Sequence, residues 1–217
     1  MNTQISNGMK KINVSTIIIT IVVVVIIGLL IWNDSKNKIS TPVADEHGMP
    51  IVTNTPVIPL DELINKPTPD FALADRDGKI YSSNELQGKN VILFFNEGLM
   101  CYPACWNQIV SLSQDERLKN DNTVVLSVVI DSKEDWQQAI NKMPELAKAT
   151  VVFDKDAEVS KKFNMLKTSS SMHYGSLPGH TYVIIDKEGM VRHVFDDPNM
   201  SIHNDQLVAE ISKFSKK

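Results

Sequence analysis

The fold is decided by residues 90–105, which read NVILFFNEGLMCYPAC. The run NVILFFN is apolar and lies between Gly88 and Gly98, a pattern typical of a buried central strand. Cys101 and Cys105 follow, and Gly98 allows the chain to turn sharply off the strand. We therefore expect two thiols just after the C-terminal end of a buried strand, on a helix that begins at the first cysteine.

These two cysteines are the only ones in the chain. A disulfide that closes so short a loop constrains the unfolded chain little, so the pair is predicted to be reactive or metal-binding. At a helix start, unpaired N–H groups and the helix dipole favour a thiolate, the attacking species in disulfide exchange. This assigns the attack to Cys101, and Cys105, one helical turn on, is the resolving thiol.

Predicted strands and helices alternate along the chain on the C-terminal side of this segment, and a hairpin with an Asp-Gly turn precedes it. Alternation predicts parallel pairing through βαβ units, and the last hairpin adds an antiparallel edge. The sequence thus predicts an α/β domain with a central mixed sheet flanked by helices. The predicted elements are a hairpin over 70–81, strands at 90–96, 123–130, 150–153, 181–185 and 190–195, and helices at 101–118, 132–146, 157–163 and 204–214.

Residues 14–32, VSTIIITIVVVVIIGLLIW, carry no charge and would span roughly 28 Å as a helix. A cleaved signal peptide is the alternative, but no small-x-small site follows the run. We therefore predict an N-terminal transmembrane helix in contact with membrane lipid, after a short tail of residues 1–13. A linker over 33–66 leads to the domain, residues 67–217. The short tail favours a single-pass protein of the cell membrane with its domain on the extracytoplasmic side.

The net charge of the chain is −4 at pH 7, so no basic surface points to nucleic acid as a partner. The sequence also lacks a phosphate-binding loop, a dinucleotide fingerprint and a His-Glu zinc motif. The thiol chemistry is therefore predicted to need no cofactor.

Three blocks of the domain, in order, carry a family likeness. They are PTPDFALADRDGKIYSSNELQGKNVILFFN (67–96), VVFDKDAEVSKKFNM (151–165) and LPGHTYVIIDKEGMVRHVF (177–195). They resemble the redoxin, or alkyl hydroperoxide reductase/thiol-specific antioxidant, family. The resemblance implies a thioredoxin-like fold and a peroxiredoxin-like antioxidant enzyme that reduces protein disulfides or peroxides.

The sequence departs from the peroxidase pattern of that family. Gly98 stands three residues before Cys101, where the family has Thr or Ser, and the family's later Arg would fall near His180. Disulfide exchange is therefore favoured over peroxide reduction. The resemblance also makes Pro178 a candidate cis proline beside the site, and His180 a residue that faces the cysteines. Glu97, just before the turn at Gly98, is a candidate proton carrier.

An alternative resemblance is to the Sco copper chaperones, which combine a Cys-x-x-x-Cys motif, a membrane anchor and a distant histidine. This chain has the spacing in Cys101-Tyr102-Pro103-Ala104-Cys105. Soft thiolates select Cu(I), and an added imidazole suits Cu(II). Under this hypothesis Cys101, Cys105 and His180 bind copper, with His173 as an alternative ligand.

Overall fold

The computed structural model describes residues 59–214 and two short strands, β1 (Val43–Ala44) and β2 (Pro50–Ile51). The chain divides into two compact units, Met1–Thr55 and Pro56–Lys217. In the first unit, β1 and β2 pair antiparallel. The second unit holds both cysteines.

The second unit is built on one seven-stranded sheet. Its strands are β3 (Ala72–Asp75), β4 (Ile80–Ser82), β5 (Asn90–Phe95), β6 (Thr123–Val129), β7 (Val151–Phe153), β8 (Thr181–Ile185) and β9 (Val191–Asp196). They lie in the order β4-β3-β7-β6-β5-β8-β9. The β5–β6 and β6–β7 pairs are parallel, and the other pairs are antiparallel. The predicted mixed sheet is confirmed.

The strand β5 lies inside the sheet, and each of its residues is buried. Ile92 and Phe94 point into the cluster that contains Cys101 and Cys105. Val91, Leu93 and Phe95 point into a second cluster on the opposite face. Burial on both faces is the reason why this strand is continuously apolar and not alternating.

Four α-helices accompany the sheet in the described part of the chain. They are α1 (Ala104–Gln114), α2 (Lys133–Lys142), α3 (Glu158–Lys162) and α4 (Asn204–Ser212). The N-cap of α2 follows the prediction, because the Ser132 side chain accepts a hydrogen bond from the Asp135 N–H. Short 3-10 helices occur at Leu60–Leu63, Gly98–Cys101, Pro144–Lys148, Lys155–Ala157 and Met165–Lys167.

The prediction that the first helix starts at Cys101 is wrong. Cys101 ends the 3-10 turn Gly98–Cys101, and α1 starts only at Ala104. The cause is Pro103, because a residue before proline is disfavoured in the α region. Tyr102 accordingly has φ −83° and ψ 136°, an extended conformation. Two different local structures therefore carry the two cysteines.

Residues on the N-terminal side of position 67 also contact the sheet. The N–H of Asn65 donates to the Val191 carbonyl at 2.7 Å, and its side chain accepts from Arg192 at 3.1 Å. Within residues 59–214 and the strands β1 and β2, none of the helices has the length and hydropathy needed for a membrane crossing. The predicted anchor, residues 14–32, lies outside the described residues.

Candidate active site

The two cysteines form a disulfide at the end of β5. Their Cα atoms are 5.4 Å apart. Cys101 is the last residue of a 3-10 turn, and Cys105 is the second residue of α1. Both are buried. The pair that the sequence singles out is thus joined, and its two sulfur atoms lie in different surroundings.

The turn that presents Cys101 depends on Gly98. Gly98 has φ +56°, a left-handed conformation, and a Cβ at this position would overlap the carboxylate of Asp131. That carboxylate accepts a hydrogen bond from the Leu99 N–H at 3.2 Å. Burial raises the pKa of Asp131. The Asn96 side chain accepts the Gly98 N–H at 3.0 Å, so the turn is held from both sides.

His180 contacts the disulfide from the side of Cys105. Its Nδ1 lies 3.4 Å from the Cys105 sulfur, and its Nε2 lies 2.8 Å from the Tyr182 hydroxyl. The imidazole packs edge-on against Phe94, with ring centroids 4.6 Å apart. Tyr182 stacks on the same Phe94 ring at 4.7 Å. The aromatic rings fix the imidazole between a sulfur atom and a hydroxyl.

Burial sets the charge of this imidazole. Desolvation lowers the pKa of His180 from 6.5 to about 4, although the negative charge of Asp197 opposes the shift. Burial also raises the pKa of Tyr182, so its hydroxyl keeps its proton. His180 is therefore neutral at pH 7 and can accept or donate one proton at the nitrogen that faces Cys105.

Cys101 has a different neighbour, the thioether of Met200. The two sulfur atoms are 3.7 Å apart, although 99 positions separate the residues in the sequence. Met200 lies in the loop between β9 and α4, whose turn is closed by the Asp197 carboxylate. That carboxylate accepts the N–H groups of Asn199 at 2.9 Å and Ser201 at 2.6 Å.

Glu97 and His173 bind each other and not the sulfur atoms. The buried Glu97 carboxylate accepts the N–H groups of Met172 at 2.7 Å and His173 at 3.0 Å, and the Ser171 hydroxyl at 3.2 Å. Its other oxygen lies 3.0 Å from Nδ1 of His173. These bonds tether the 171–173 loop to the turn before Cys101. In the structure, Glu97 thus positions the 171–173 loop. Its predicted role as a proton carrier stays a prediction.

The predicted cis bond at Pro178 is wrong. Among residues 59–214 the cis peptide bond is Tyr102–Pro103. The trans form is the more stable one for most X-Pro bonds, and the Leu177–Pro178 bond follows that preference. Pro178 is buried two residues before His180, in the segment that leads into β8. Its predicted catalytic role stays a prediction.

The same atoms form a potential metal site. The two cysteine sulfurs and a His180 ring nitrogen all lie within 4.8 Å of one another. Two thiolates and an imidazole, once the disulfide is reduced, are a donor set that suits copper. His173 does not belong to this group, because its ring is paired with Glu97.

Residues 64–194 match the AhpC/TSA family. The chain belongs to this family. Peroxiredoxin Bcp of Escherichia coli (strain K12) is 31% identical over 148 residues, which are 64% of this chain and 89% of that protein. Chloroplastic peroxiredoxin Q of Triticum aestivum is 28% identical over 135 residues, 59% of this chain and 57% of that protein. This AhpC/TSA protein is thus a peroxiredoxin-like thiol oxidoreductase, as the sequence predicts.

Solved structures agree with the predicted thioredoxin-like fold. The mitochondrial 2-Cys peroxiredoxin of Plasmodium falciparum aligns with a TM-score of 0.57 and 23% identity, over 70% of this chain and 94% of the other. A putative protein disulfide isomerase of Bacteroides thetaiotaomicron gives a TM-score of 0.54 and 19% identity, over 71% and 91% of the two chains. At 23% and 19% sequence identity, the likeness to these two solved structures establishes only the fold of this chain.

Two neighbours of the sulfurs, Tyr182 and Met200, are missing from the residues that the sequence singles out. Tyr182 has a local signal, because residues i and i+2 of a strand share a face and Tyr182 is two positions after His180. Met200 has no such signal, since only the fold of the loop after β9 brings it to Cys101.

Proposed function

We propose that this AhpC/TSA protein is a thiol–disulfide oxidoreductase in which Cys101 attacks the substrate and Cys105 resolves the intermediate. The observation that supports this assignment is the contact between His180 Nδ1 and the Cys105 sulfur in a buried disulfide. A neutral imidazole at this position can take the proton of the Cys105 thiol, which the resolving step requires.

The accessibility of the two cysteines supports the order of attack. Cys101 is itself only 2% exposed, but its chain neighbours Met100 and Tyr102 are 58% and 48% exposed. Cys105 is 0% exposed and covered by His180. Small movements of the exposed residues beside Cys101 would uncover the first sulfur, whereas His180 covers the second, and this supports Cys101 as the attacking thiol.

The proposed cycle conserves electrons and protons. The Cys101 thiolate attacks one sulfur of a substrate disulfide, and the other substrate sulfur leaves as a thiolate. The Cys105 proton then passes to His180, and the Cys105 thiolate attacks the Cys101 sulfur of the mixed disulfide. This step expels the second substrate sulfur as a thiolate, which takes the proton back from His180, and forms the Cys101–Cys105 disulfide. Two electrons have passed from the enzyme to the substrate.

A protein disulfide is the favoured substrate. All but one of the six large apolar side chains that are exposed in residues 59–214 belong to the segments around the disulfide: Met100, Tyr102, Met172, Tyr174 and Ile202. An apolar rim of this kind suits a polypeptide partner better than a small peroxide. The departures from the peroxidase pattern at Gly98 and His180 support the same choice.

The test is a turnover assay of the reduced enzyme with excess dithiothreitol, a disulfide-bonded peptide and, separately, hydrogen peroxide. We expect faster turnover of the disulfide, and only the uncatalysed dithiothreitol rate with a Cys101→Ser/Cys105→Ser double variant. Faster turnover of peroxide would replace disulfide exchange with peroxidase activity. Rates equal to those of the double variant with both substrates would refute the enzyme assignment.

We also propose that residues 14–32 anchor the enzyme in the cell membrane, with the domain on the extracytoplasmic side. The uncharged length of this run supports the anchor. The full chain should resist extraction from membranes at alkaline pH, and a chain without residues 1–32 should not. Release of both forms would contradict the anchor.

Copper delivery is the second candidate function. It is favoured by the three potential ligand atoms of Cys101, Cys105 and His180, which lie within 4.8 Å of one another. Stoichiometric copper on the reduced protein, lost in a His180→Ala variant, would support it.

A further inference from the structure

The strand β6 has a neighbour on both sides only along its C-terminal half. Its ladder to β5 begins at Thr123, whereas its ladder to β7 begins at Ser127. Among residues 59–214, Thr123, Val124 and Val125 therefore have no paired residue on the β7 side. The shortness of β7 leaves an open edge about three residues long, which is roughly 10 Å at the rise of a strand.

Backbone polar groups of β6 point toward this open edge. The N–H and C=O groups of successive strand residues point alternately to the two sides of the strand. The Ser127 N–H points to the β7 side, because it donates to the Thr150 carbonyl at 3.0 Å. Val125 is two residues before Ser127, so its N–H and C=O groups point to the same side, where the ladder has not yet begun. An open strand edge of this kind is a template for another strand.

A cavity of about 340 Å³ lies beside the open edge. Such a volume is within the range of about 300–1,000 Å³ that ligand sites have. Ile109, Leu112 and Leu118 contribute an apolar wall, and all three are buried in the cluster against which Val125 packs. Residues 148–150, which lead into β7, also line the cavity.

The charged side chains that line the cavity form a basic rim of Lys79, Lys119 and Lys148. All three lysines are exposed, and the described lining of the cavity contains no acidic residue. The whole chain has a net charge of −4, so this local excess of positive charge differs from the rest of the protein. The cavity is thus complementary to an acidic ligand.

Two carboxylates close to the rim have partners of their own. Glu116 pairs with Lys119 at 2.8 Å, and an exposed pair of this kind contributes little free energy. The Asp75 carboxylate accepts the N–H groups of Asp77 at 2.9 Å and Lys79 at 3.0 Å. The ammonium group of Lys79 lies instead over the Tyr81 ring, 4.7 Å from its centroid. The rim therefore keeps cations that can meet an incoming carboxylate.

The cavity and the disulfide lie at opposite ends of the parallel strands β5 and β6. Asn90 of β5 pairs with Thr123, beside the cavity, whereas the disulfide follows the other end of β5. Phe95 is about five residues, or roughly 17 Å, further along the strand than Asn90. A ligand at the open edge therefore leaves the sulfur atoms accessible.

We propose that the open edge of β6, residues 123–125, binds an extended acidic segment of a partner polypeptide, which adds to the sheet as a strand. Main-chain hydrogen bonds give an added strand its affinity, and pockets for alternate side chains give its specificity. Alternate side chains of a strand point to opposite faces, so a segment that alternates apolar and acidic residues meets both the apolar wall and the basic rim. This surface recruits a partner without using the thiols, so the inference goes beyond the proposed function and does not depend on it.

The test measures fluorescence polarisation of a labelled peptide of alternating glutamate and valine as the detergent-solubilised full chain is added. We expect binding that weakens as the salt concentration is raised. A peptide of alternating lysine and valine, and the glutamate–valine peptide with every amide N-methylated, should not bind. The first control reverses the charge of the ligand, and the second removes its backbone donors.

Variants of the basic rim complete the titration. A Lys79→Glu/Lys148→Glu double variant should bind the glutamate–valine peptide at least about tenfold more weakly than wild type. Lys133→Glu/Lys155→Glu makes the same change of charge at two exposed lysines outside the cavity, and it should bind as wild type does. Hydrogen–deuterium exchange should slow in residues 123–127 when the peptide binds, because the Val125 N–H gains an acceptor.

No binding at about 1 mM peptide, or equal affinity in wild type and the rim variant, would overturn the proposal. Binding of the N-methylated peptide, or unchanged exchange in residues 123–127, would overturn the added strand. A dimer of the chain that the peptide dissociates would assign the edge to a second copy and overturn the partner polypeptide. Disulfide turnover should be the same in the rim variant and in wild type. Absence of turnover in wild type with these binding results intact would refute the enzyme assignment alone.

Discussion

The two cysteines lie four positions apart in the sequence and in unlike surroundings. Cys101 ends a 3-10 turn, contacts the thioether of Met200 and is flanked by exposed apolar side chains. Cys105 belongs to α1, is fully buried and contacts the neutral imidazole of His180. One sulfur thus lies in a turn with exposed apolar neighbours and beside a thioether, whereas the other lies beside a neutral imidazole.

Under the proposed function, this difference assigns two unequal steps to the two cysteines of one motif. Attack on a substrate needs access and a thiolate, whereas resolution needs a base close to a buried thiol. The break in helical structure at Pro103 separates the two environments. A reporter that releases one coloured thiol per step, such as an aromatic disulfide, can follow the two steps independently.

The largest effect is expected for the cysteines themselves. Cys101→Ser should slow release of the first coloured thiol at least about 10³-fold, because the remaining thiol, Cys105, is covered by His180 and has no exposed chain neighbour. Cys105→Ser should release the first thiol at the wild-type rate and stop as a mixed disulfide, which intact-mass measurement detects. Equal first-step rates in the two variants would show that the sulfurs are interchangeable.

The neutral imidazole should make stability depend on pH. The pKa of His180 is lowered from 6.5 to about 4 in the folded state, so the unfolded chain binds more protons between these values. Stability should therefore fall as the pH is lowered from about 6.5 to about 4, by roughly 3 kcal/mol in total, and this contribution should not change further below that range.

Urea denaturation at a series of pH values measures this dependence. His180→Gln should flatten it between pH 6.5 and 4, because glutamine has no ring that takes up a proton in this range. A wild-type curve that is already flat in this range would contradict a buried neutral His180.

The next effect concerns the second step of the reporter reaction. His180→Gln should slow release of the second coloured thiol roughly 10²-fold, because a glutamine cannot take the Cys105 proton. The first release should keep its rate. If His180→Gln slowed only the first release, the imidazole would act on Cys101. The proton acceptor would then serve the attacking sulfur and not the resolving one.

The smallest effect is expected for the hydroxyl that orients the imidazole. Tyr182→Phe removes the hydrogen bond to His180 Nε2 and keeps the ring that stacks on Phe94. We expect a loss of about 1 kcal/mol in the free energy of unfolding and a second-step rate several-fold lower than in wild type. An unchanged second step would show that ring packing alone orients His180.

The interior strands β5 and β6 are predictable from the sequence because their amino-acid composition reflects their burial. β5 is apolar from Val91 to Phe95, and Ser127 is the one polar residue between Val124 and Val129 of β6, a composition typical of strands covered on both faces. The predicted start of α1 is wrong because helical spacing alone does not account for Pro103. The effect of proline on the residue before it is local, so the sequence alone contains the information that places the start of α1 after Pro103.

The sequence by itself determined the alternating α/β layout, the central buried strand and the choice of the cysteine pair, since these depend on short-range patterns of apolar residues and on residue chemistry. The tertiary structure decided which groups touch each sulfur. Met200 reaches Cys101 across 99 positions and His180 reaches Cys105 across 75, through the packing of β8 and the closed loop after β9. Such contacts are set by the burial of distant segments against each other, which no local pattern encodes.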